Sequence, residues 1–450
     1  MISIRSPGRE GEHSNVKIKA LSLVLTAVLL LCGCGQKGET AAATPAQAVT
    51  APAAQSGTAR PVSTGVAPEQ FGAKGDGIAD DLQALQAAMQ QASASGRPLE
   101  LTAGAVYRFS SCLGLPSGLT IRGNGAVLLS DIQYHDLKED RVAVELMKDS
   151  DDDRAHDVRL ENVTFRAADS CQANYMLRVM LARNVEFVGC TFDCEPNEWG
   201  RCAADLYGGN ENIRFEGCVF RQMTSGASGG IWVRNWTDRV ESRNIRFQNC
   251  EFYKSGADEL LAVWGWGGAV RNVVLSGCSF YETQTQEALD ADHRPVWFIT
   301  LGQSGTTDVR MEDCAVRAEY CETIFRMVGD KTRAVVDNCD ITMKQPDSMA
   351  EHDMKKGANP MLARGNDRAD GSTVIQNSRI TLSGDNGRRI CYQLSALKGN
   401  TLDVSLGCGI ASTKEVSGNT IRGRIRHKVF QDCSGVENNK VEVRRFSILG

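Results

Sequence analysis

Carboxylates and aromatic rings concentrate in one stretch of this 450-residue chain: all six tryptophans, Trp199, Trp232, Trp236, Trp264, Trp266 and Trp297, fall within one hundred residues. Acids stand beside them, with Asp205 two residues before Tyr207, Asp258 and Glu259 ahead of Leu260, and Asp290 and Asp292 ahead of His293. Two acids separated by roughly 6.5 to 9.5 Å can invert a glycosidic bond, one protonating the leaving oxygen while the other activates a water. Asp205 with Glu259, backed by Asp258, is the pair this chemistry would use. Eliminative cleavage of a uronate chain needs a base and a cation instead, for which Arg234, His293 and Arg326 are the candidates. Tyr207, Trp232, Trp264 and Trp297 would supply ring faces for sugar C–H groups.

Such distant residues meet only if the fold stacks them, and an internal repeat does so. Asn184-Val-Glu-Phe-Val-Gly-Cys190-Thr-Phe192 recurs as Asn212-Ile-Arg-Phe-Glu-Gly-Cys218-Val-Phe220, Asn244-Ile-Arg-Phe-Gln-Asn-Cys250-Glu-Phe252 and Asn272-Val-Val-Leu-Ser-Gly-Cys278-Ser-Phe280, then more loosely around Cys314 and Cys339. The cysteine spacings are 28, 32, 28, 36 and 25 residues. Each copy reads as two short alternating strands joined by a tight bend, which cannot bury an apolar face until neighbours stack on it. The expected fold is all-β, a single right-handed parallel β-helix of about ten rungs over residues 67–450, with variable loops on fixed rungs. Stacking the strands that precede each copy turns Tyr207, Trp232, Ala262, Trp297 and Phe325 outward in one stripe. The alternative is an aromatic seam covered by loops or by a partner.

Six of the sixteen cysteines share one repeat position, so a column of small inward thiols explains them better than bridges do. Cys194 and Cys202 flank a loop they could close as a disulfide. Cys190 and Cys194 stand at zinc spacing but no second such pair accompanies them, and Asp149-Ser-Asp-Asp-Asp153 lacks the glycine and glutamate of a calcium loop; no metal or other cofactor is implied, and calcium finds no supporting motif.

Phe71-Gly-Ala-Lys-Gly-Asp-Gly-Ile-Ala-Asp-Asp81, with Leu82, Leu85, Met89 and Ala92 along one face of the helix that follows, resembles the entry segment of the pectate-lyase-like superfamily, which includes polygalacturonases, rhamnogalacturonases and phage tailspikes. Leu99 to Tyr107 and Gly118 to Gly125 continue the resemblance. It implies a β-helix whose open end is plugged by the helix, and carbohydrate polymers, acidic ones especially, as ligands. Asp76, Asp80 and Asp81 then serve turns and the helix cap. The Asn-Thr-Asp and Gly-His-Gly of polygalacturonases and the Arg-x-Pro-x-x-Arg of pectate lyases are missing, so no catalytic residue carries over.

Residues 20–31 form an uncharged apolar run after Lys17 and Lys19, too short to cross a bilayer as a mature helix and suited to a signal peptide. Leu31-Cys32-Gly33-Cys34 looks like the lipobox of bacterial lipoproteins. That resemblance implies removal of residues 1–33, a lipid on Cys34 as membrane anchor, and, with Gly35 following, the outer membrane. Residues 34–66, rich in Ala, Thr and Pro, read as a flexible tether. A formal net charge of −5 excludes the basic stripe of a nucleic-acid binder. The expectation is an envelope-anchored protein that binds and cleaves an acidic polysaccharide, as lyase or glycoside hydrolase, or a non-catalytic glycan-binding or structural lipoprotein.

Overall fold

A computed structural model describes residues 65–133, 142–147, 153–194, 202–223, 230–235, 240–254, 259–282, 297–345, 360–366, 370–384 and 388–445. The chain winds through three parallel sheets in turn. A representative coil runs from Tyr175–Met180 (sheet I) through Ala182–Val188 (sheet II) to Thr191–Asp193 (sheet III), and regains sheet I at Cys202–Tyr207. Every described pairing between sheet strands is parallel, and sheet III stacks fourteen strands from Asp76–Asp80 to Lys440–Arg444. The solenoid therefore has more levels than the roughly ten expected, because the first and last coils lack the cysteine that marks the repeat. Its hand is the one right-twisted parallel strands impose on their crossovers.

The repeat becomes intelligible at its two ends. Asn184, Asn212, Asn244 and Asn272 all adopt left-handed backbone, φ between 52° and 56°, and so do the residues just before the cysteines, among them Gly189, Asn249 and Asp313. Glycine, asparagine and aspartate tolerate that conformation best, which is why the motif starts and bends on these types. The four asparagines also chain their side chains: Asn212 Nδ2 donates to Asn184 Oδ1 at 3.0 Å, Asn244 to Asn212 at 2.9 Å and Asn272 to Asn244 at 2.8 Å. Between the bends, Phe187, Phe215 and Phe247 stack inside sheet II, while Phe165, Phe192, Phe220, Phe252 and Phe280 stack inside sheet III with centroids 4.6 to 5.0 Å apart.

At the corner between these sheets Cys190, Cys218, Cys250, Cys278, Cys314 and Cys339 form the expected buried column of thiols. The same inward position passes to Ser378, Asn400, Asn419 and Asn439 farther along, where the amides bond from coil to coil. The disulfide envisaged between Cys194 and Cys202 is not formed: Cys202 is a thiol whose Sγ lies 3.2 Å from the Ala204 carbonyl.

A helix at Leu82–Ser95 packs Leu82, Leu85, Ala88, Met89 and Ala92 onto the first coil. The three entry aspartates serve turns, and Asp81, which stands at the helix N-cap, makes no capping hydrogen bond with its side chain. Asp80 accepts from the Leu82 amide, Asp81 from those of Lys74 and Gly75, and Asp76 from those of Ile78 and Ala79. Among the described residues no helix is long and apolar enough to cross a membrane.

Candidate functional site on the outer face of sheet I

Strands of sheet I do not alternate strictly. Each turns two consecutive residues into the core: Met176-Leu177, Ala203-Ala204, Leu260-Leu261, Phe298-Ile299, Ile324-Phe325 and Leu362-Ala363. The doublet marks a bend in the strand, and it places outward residues three apart across it. One outward column accordingly runs Arg178, Asp205, Trp232, Ala262, Thr300, Arg326 and Arg364. A second holds Tyr207, Arg234 and Trp264. On the other side of the doublet, Tyr175 pairs with Cys202, and Trp297 with Thr323. The expected single stripe thus splits into three columns, and Phe325 moves inside as the second member of its doublet.

The structure gathers most of the expected residues but gives two of them unexpected neighbours. Asp205 is fully buried, and Arg234 grips it with both nitrogens, Nε to Oδ1 at 2.7 Å and Nη2 to Oδ2 at 2.8 Å. Arg178 reaches the same Oδ2 at 3.2 Å. Burial pulls the Arg234 guanidinium down, but the hydrogen bonds and negative charge of Asp205, with smaller help from its neighbours, together outweigh it and hold the group above its ordinary range. A carboxylate so clamped organises two guanidiniums under the aromatic rings rather than presenting an oxygen to a sugar. Arg234 lies 4.1 Å below the Trp232 ring and 5.1 Å from Tyr207, and Arg178 4.4 Å from Tyr175. Trp232 stacks on Trp264 at 5.5 Å.

Trp232, expected as an exposed platform, is only 6% exposed and packs with Cys202 and Ala262. Its Nε1 has no hydrogen-bond partner among the described residues. Trp264, Trp297 and Tyr207 are half-buried, and Trp266 is 61% exposed on the long strand Leu261–Ser276, which carries sheet I directly into sheet II.

Glu259 sits on the doublet's other side, 6% exposed, taking a hydrogen bond from Thr300 Oγ1 at 2.6 Å and facing Arg326 at 3.5 Å. It is two coils and three residues away from Asp205, roughly 13 Å between backbones at strand spacing. The two carboxylates are held by different partners, Asp205 by Arg234 and Arg178, Glu259 by Thr300 and Arg326. Arg326 lies 5.0 Å from the Trp297 ring and bonds Gln303 Oε1 at 3.0 Å. Burial lowers its guanidinium below the usual range, the attraction of Glu259 offsetting this only in part. Asp258 and His293 lie outside the described residues, as do Asp290, Asp292, Trp199, Trp236 and Cys34. No group of three or more His, Cys, Asp or Glu side chains among the described residues is placed to hold a metal.

Sequence reasoning missed Tyr175, Arg178, Thr300, Gln303 and Arg364. Tyr175 and Arg178 were within reach, since Tyr175–Met180 precedes the Cys190 copy as Cys202–Tyr207 precedes the Cys218 copy. Thr300 and Arg364 are visible only once the register is known.

Residues 66–283 match the family model described as rhamnogalacturonase A/epimerase, pectate lyase-like. Over those residues the chain resembles the pectate-lyase-like family, and its fold is a right-handed parallel β-helix. Among solved structures it is similar to the surface protein and adhesin PfbA of Streptococcus pneumoniae, with 14% identity, 85% of this chain and 100% of that one covered, and a TM-score of 0.51. The Acinetobacter phage vb_AbaP_AS12 gp42 tailspike aligns at 11% identity over 86% of this chain and 64% of its own, with a TM-score of 0.50. A family 28 exopolygalacturonase of Yersinia enterocolitica aligns at 12% identity over 85% and 79%, with a TM-score of 0.45. At such identities these likenesses concern the fold alone. No curated protein matches the chain.

Proposed function

We propose that this β-helix binds an acidic polysaccharide along the outer face of sheet I, over the coils that carry residues 175 to 364, and that it does so at the cell envelope through a lipid on Cys34. The observation that carries the reading is the Trp297–Arg326 contact, on the coils that follow those of the Trp232–Trp264 stack. It sets aromatic surface and guanidinium side by side on successive coils, as a chain of charged sugars requires. Among the described residues of these coils, the arginines Arg178, Arg234, Arg326 and Arg364 meet the carboxylates Asp205 and Glu259, a positive excess that suits an anionic ligand. The buried Nε1 of Trp232 adds a donor that an oxygen of the ligand can satisfy. Support for the anchor is the apolar run 20–31 followed by Leu31-Cys32-Gly33-Cys34, and residues 34–66 would give the body reach from the outer membrane.

Eliminative cleavage is a second reading, favoured by the depressed guanidinium of Arg326. A lyase removes the proton α to a uronate carboxylate while the glycosidic oxygen leaves from the adjacent carbon, and a base held below its ordinary pKa suits the first half of that step. Incubating the protein with uronate polymers decides between the two readings. Binding without new ultraviolet absorbance or new reducing ends is the expected result. Unsaturated products that vanish in Arg326→Ala would establish the lyase, and failure to retain any acidic polymer would contradict both.

A further inference from the structure

The corner between sheets II and III places six thiols one above another, and their arrangement admits only one complete pairing. Consecutive coils are hydrogen-bonded directly at this corner: the Cys190 carbonyl accepts from the Val219 amide at 2.9 Å, that of Cys218 from Glu251 at 2.9 Å, that of Cys250 from Ser279 at 2.9 Å, that of Cys278 from Ala315 at 2.8 Å, and that of Cys314 from Asp340 at 2.9 Å. Every cysteine of the column is therefore level with the next. The thiols also point the same way on every coil: Sγ of Cys190, Cys218, Cys250, Cys278, Cys314 and Cys339 lies at the carbonyl of Leu160, Phe187, Phe215, Phe247, Leu275 and Met311 in turn, residues that are themselves in register. In-register parallel neighbours have α-carbons about 4.8 Å apart, inside the range of roughly 4.4 to 6.8 Å that a disulfide spans.

Six cysteines allow about fifteen complete pairings in general. In a linear column where only neighbours touch, a single one uses all six. We propose that, when the chain folds in the presence of a disulfide oxidant, this column closes into three disulfides, Cys190–Cys218, Cys250–Cys278 and Cys314–Cys339, each stapling one coil to the next and fixing its register. The thiols are at most 2% exposed once the coils are stacked, so the oxidant must act while they close. Chemically the step is two thiol–disulfide exchanges. One cysteine thiolate attacks the oxidant's disulfide and expels a thiolate. The neighbouring cysteine then attacks the protein sulfur of that mixed disulfide, expelling the second thiolate, and the two protein protons pass to the leaving groups. Two coils are joined and one oxidant disulfide is reduced. Ser378, Asn400 and Asn419 continue the column beyond Cys339 with hydrogen bonds, so coil-to-coil linkage through this corner does not stop with the thiols.

Full-length chain, unfolded with reductant and diluted into oxidised glutathione, tests this after remaining thiols are alkylated and the soluble β-rich fraction is digested without reduction. The expected peptide map contains the three linked pairs and no others among the six. Alkylation of any of the six in most of that fraction, or links between non-neighbours, would overturn the proposal. Cys218→Ser sharpens the test: Cys190 should then be alkylated while Cys250–Cys278 and Cys314–Cys339 persist. Pairing of Cys190 elsewhere in that variant would contradict the column. Should the variant fail to fold, the wild-type map decides alone.

Discussion

Sheets I and II are built from the same coils between residues 175 and 326, yet their outer faces handle charge in opposite ways. On sheet II, Arg159, Glu186, Arg214 and Arg246 occupy successive coils at the surface; Arg159 pairs with Glu186, and Arg214 lies 2.7 Å from Glu216 with both side chains more than a third exposed. Such pairs contribute little, because water and salt screen them. On sheet I, Asp205 and Arg234 are withdrawn from water beneath aromatic rings. Burying ions is costly, so the arrangement persists only because each partner is fully hydrogen-bonded. Polar surface for solubility can be built either way; fixed guanidiniums under aromatic rings need the second. The difference locates the ligand face more sharply than composition does.

Removing the buried anion should have the largest effect. Asp205→Asn leaves Arg178 and Arg234 buried beside a neutral amide, and a loss of about 3 to 5 kcal/mol in urea unfolding is expected. A change under ~1 kcal/mol would mean that the clamp is hydrated like the pairs of sheet II. Arg326→Ala comes next, with affinity for an acidic oligosaccharide falling by about 2 kcal/mol, roughly thirtyfold by calorimetry, and unfolding made easier by about 1 to 3 kcal/mol as the buried Glu259 loses its cation. Asn212→Ala interrupts the amide chain and puts alanine in left-handed backbone, costing about 1 to 2 kcal/mol. Arg214→Ala should shift stability by no more than about 0.5 kcal/mol, and that shift should vanish in high salt. Equal effects of Arg214→Ala and Asp205→Asn would dissolve the contrast between the faces.

What the sequence disclosed follows the same division. The Asn-to-Cys motif repeats because two left-handed residues and an inward corner recur on every central coil, so sheets II and III, the thiol column and the solenoid were legible. The strands of sheet I carry no repeated motif. Simple alternation fails there because the inward doublets, such as Ala203-Ala204 and Ile324-Phe325, interrupt the two-residue period. That interruption carries Phe325 inside, and the register sets Tyr207 opposite Arg234 instead of Trp232. The partners of Asp205 were hidden for a related reason: an aspartate one coil from two arginines reads as a candidate acid until the stack shows both guanidiniums closing on it.

Because Trp232, Trp264 and Trp297 stand on the proposed face, intrinsic fluorescence responds to a ligand bound there. Titration with defined uronate oligosaccharides should give a saturable emission change that weakens with salt, and that is lost in a Trp264→Ala, Trp297→Ala double variant with an unaltered circular dichroism spectrum. Undiminished binding in that variant, or no response to any anionic oligosaccharide, would contradict a ligand groove on sheet I.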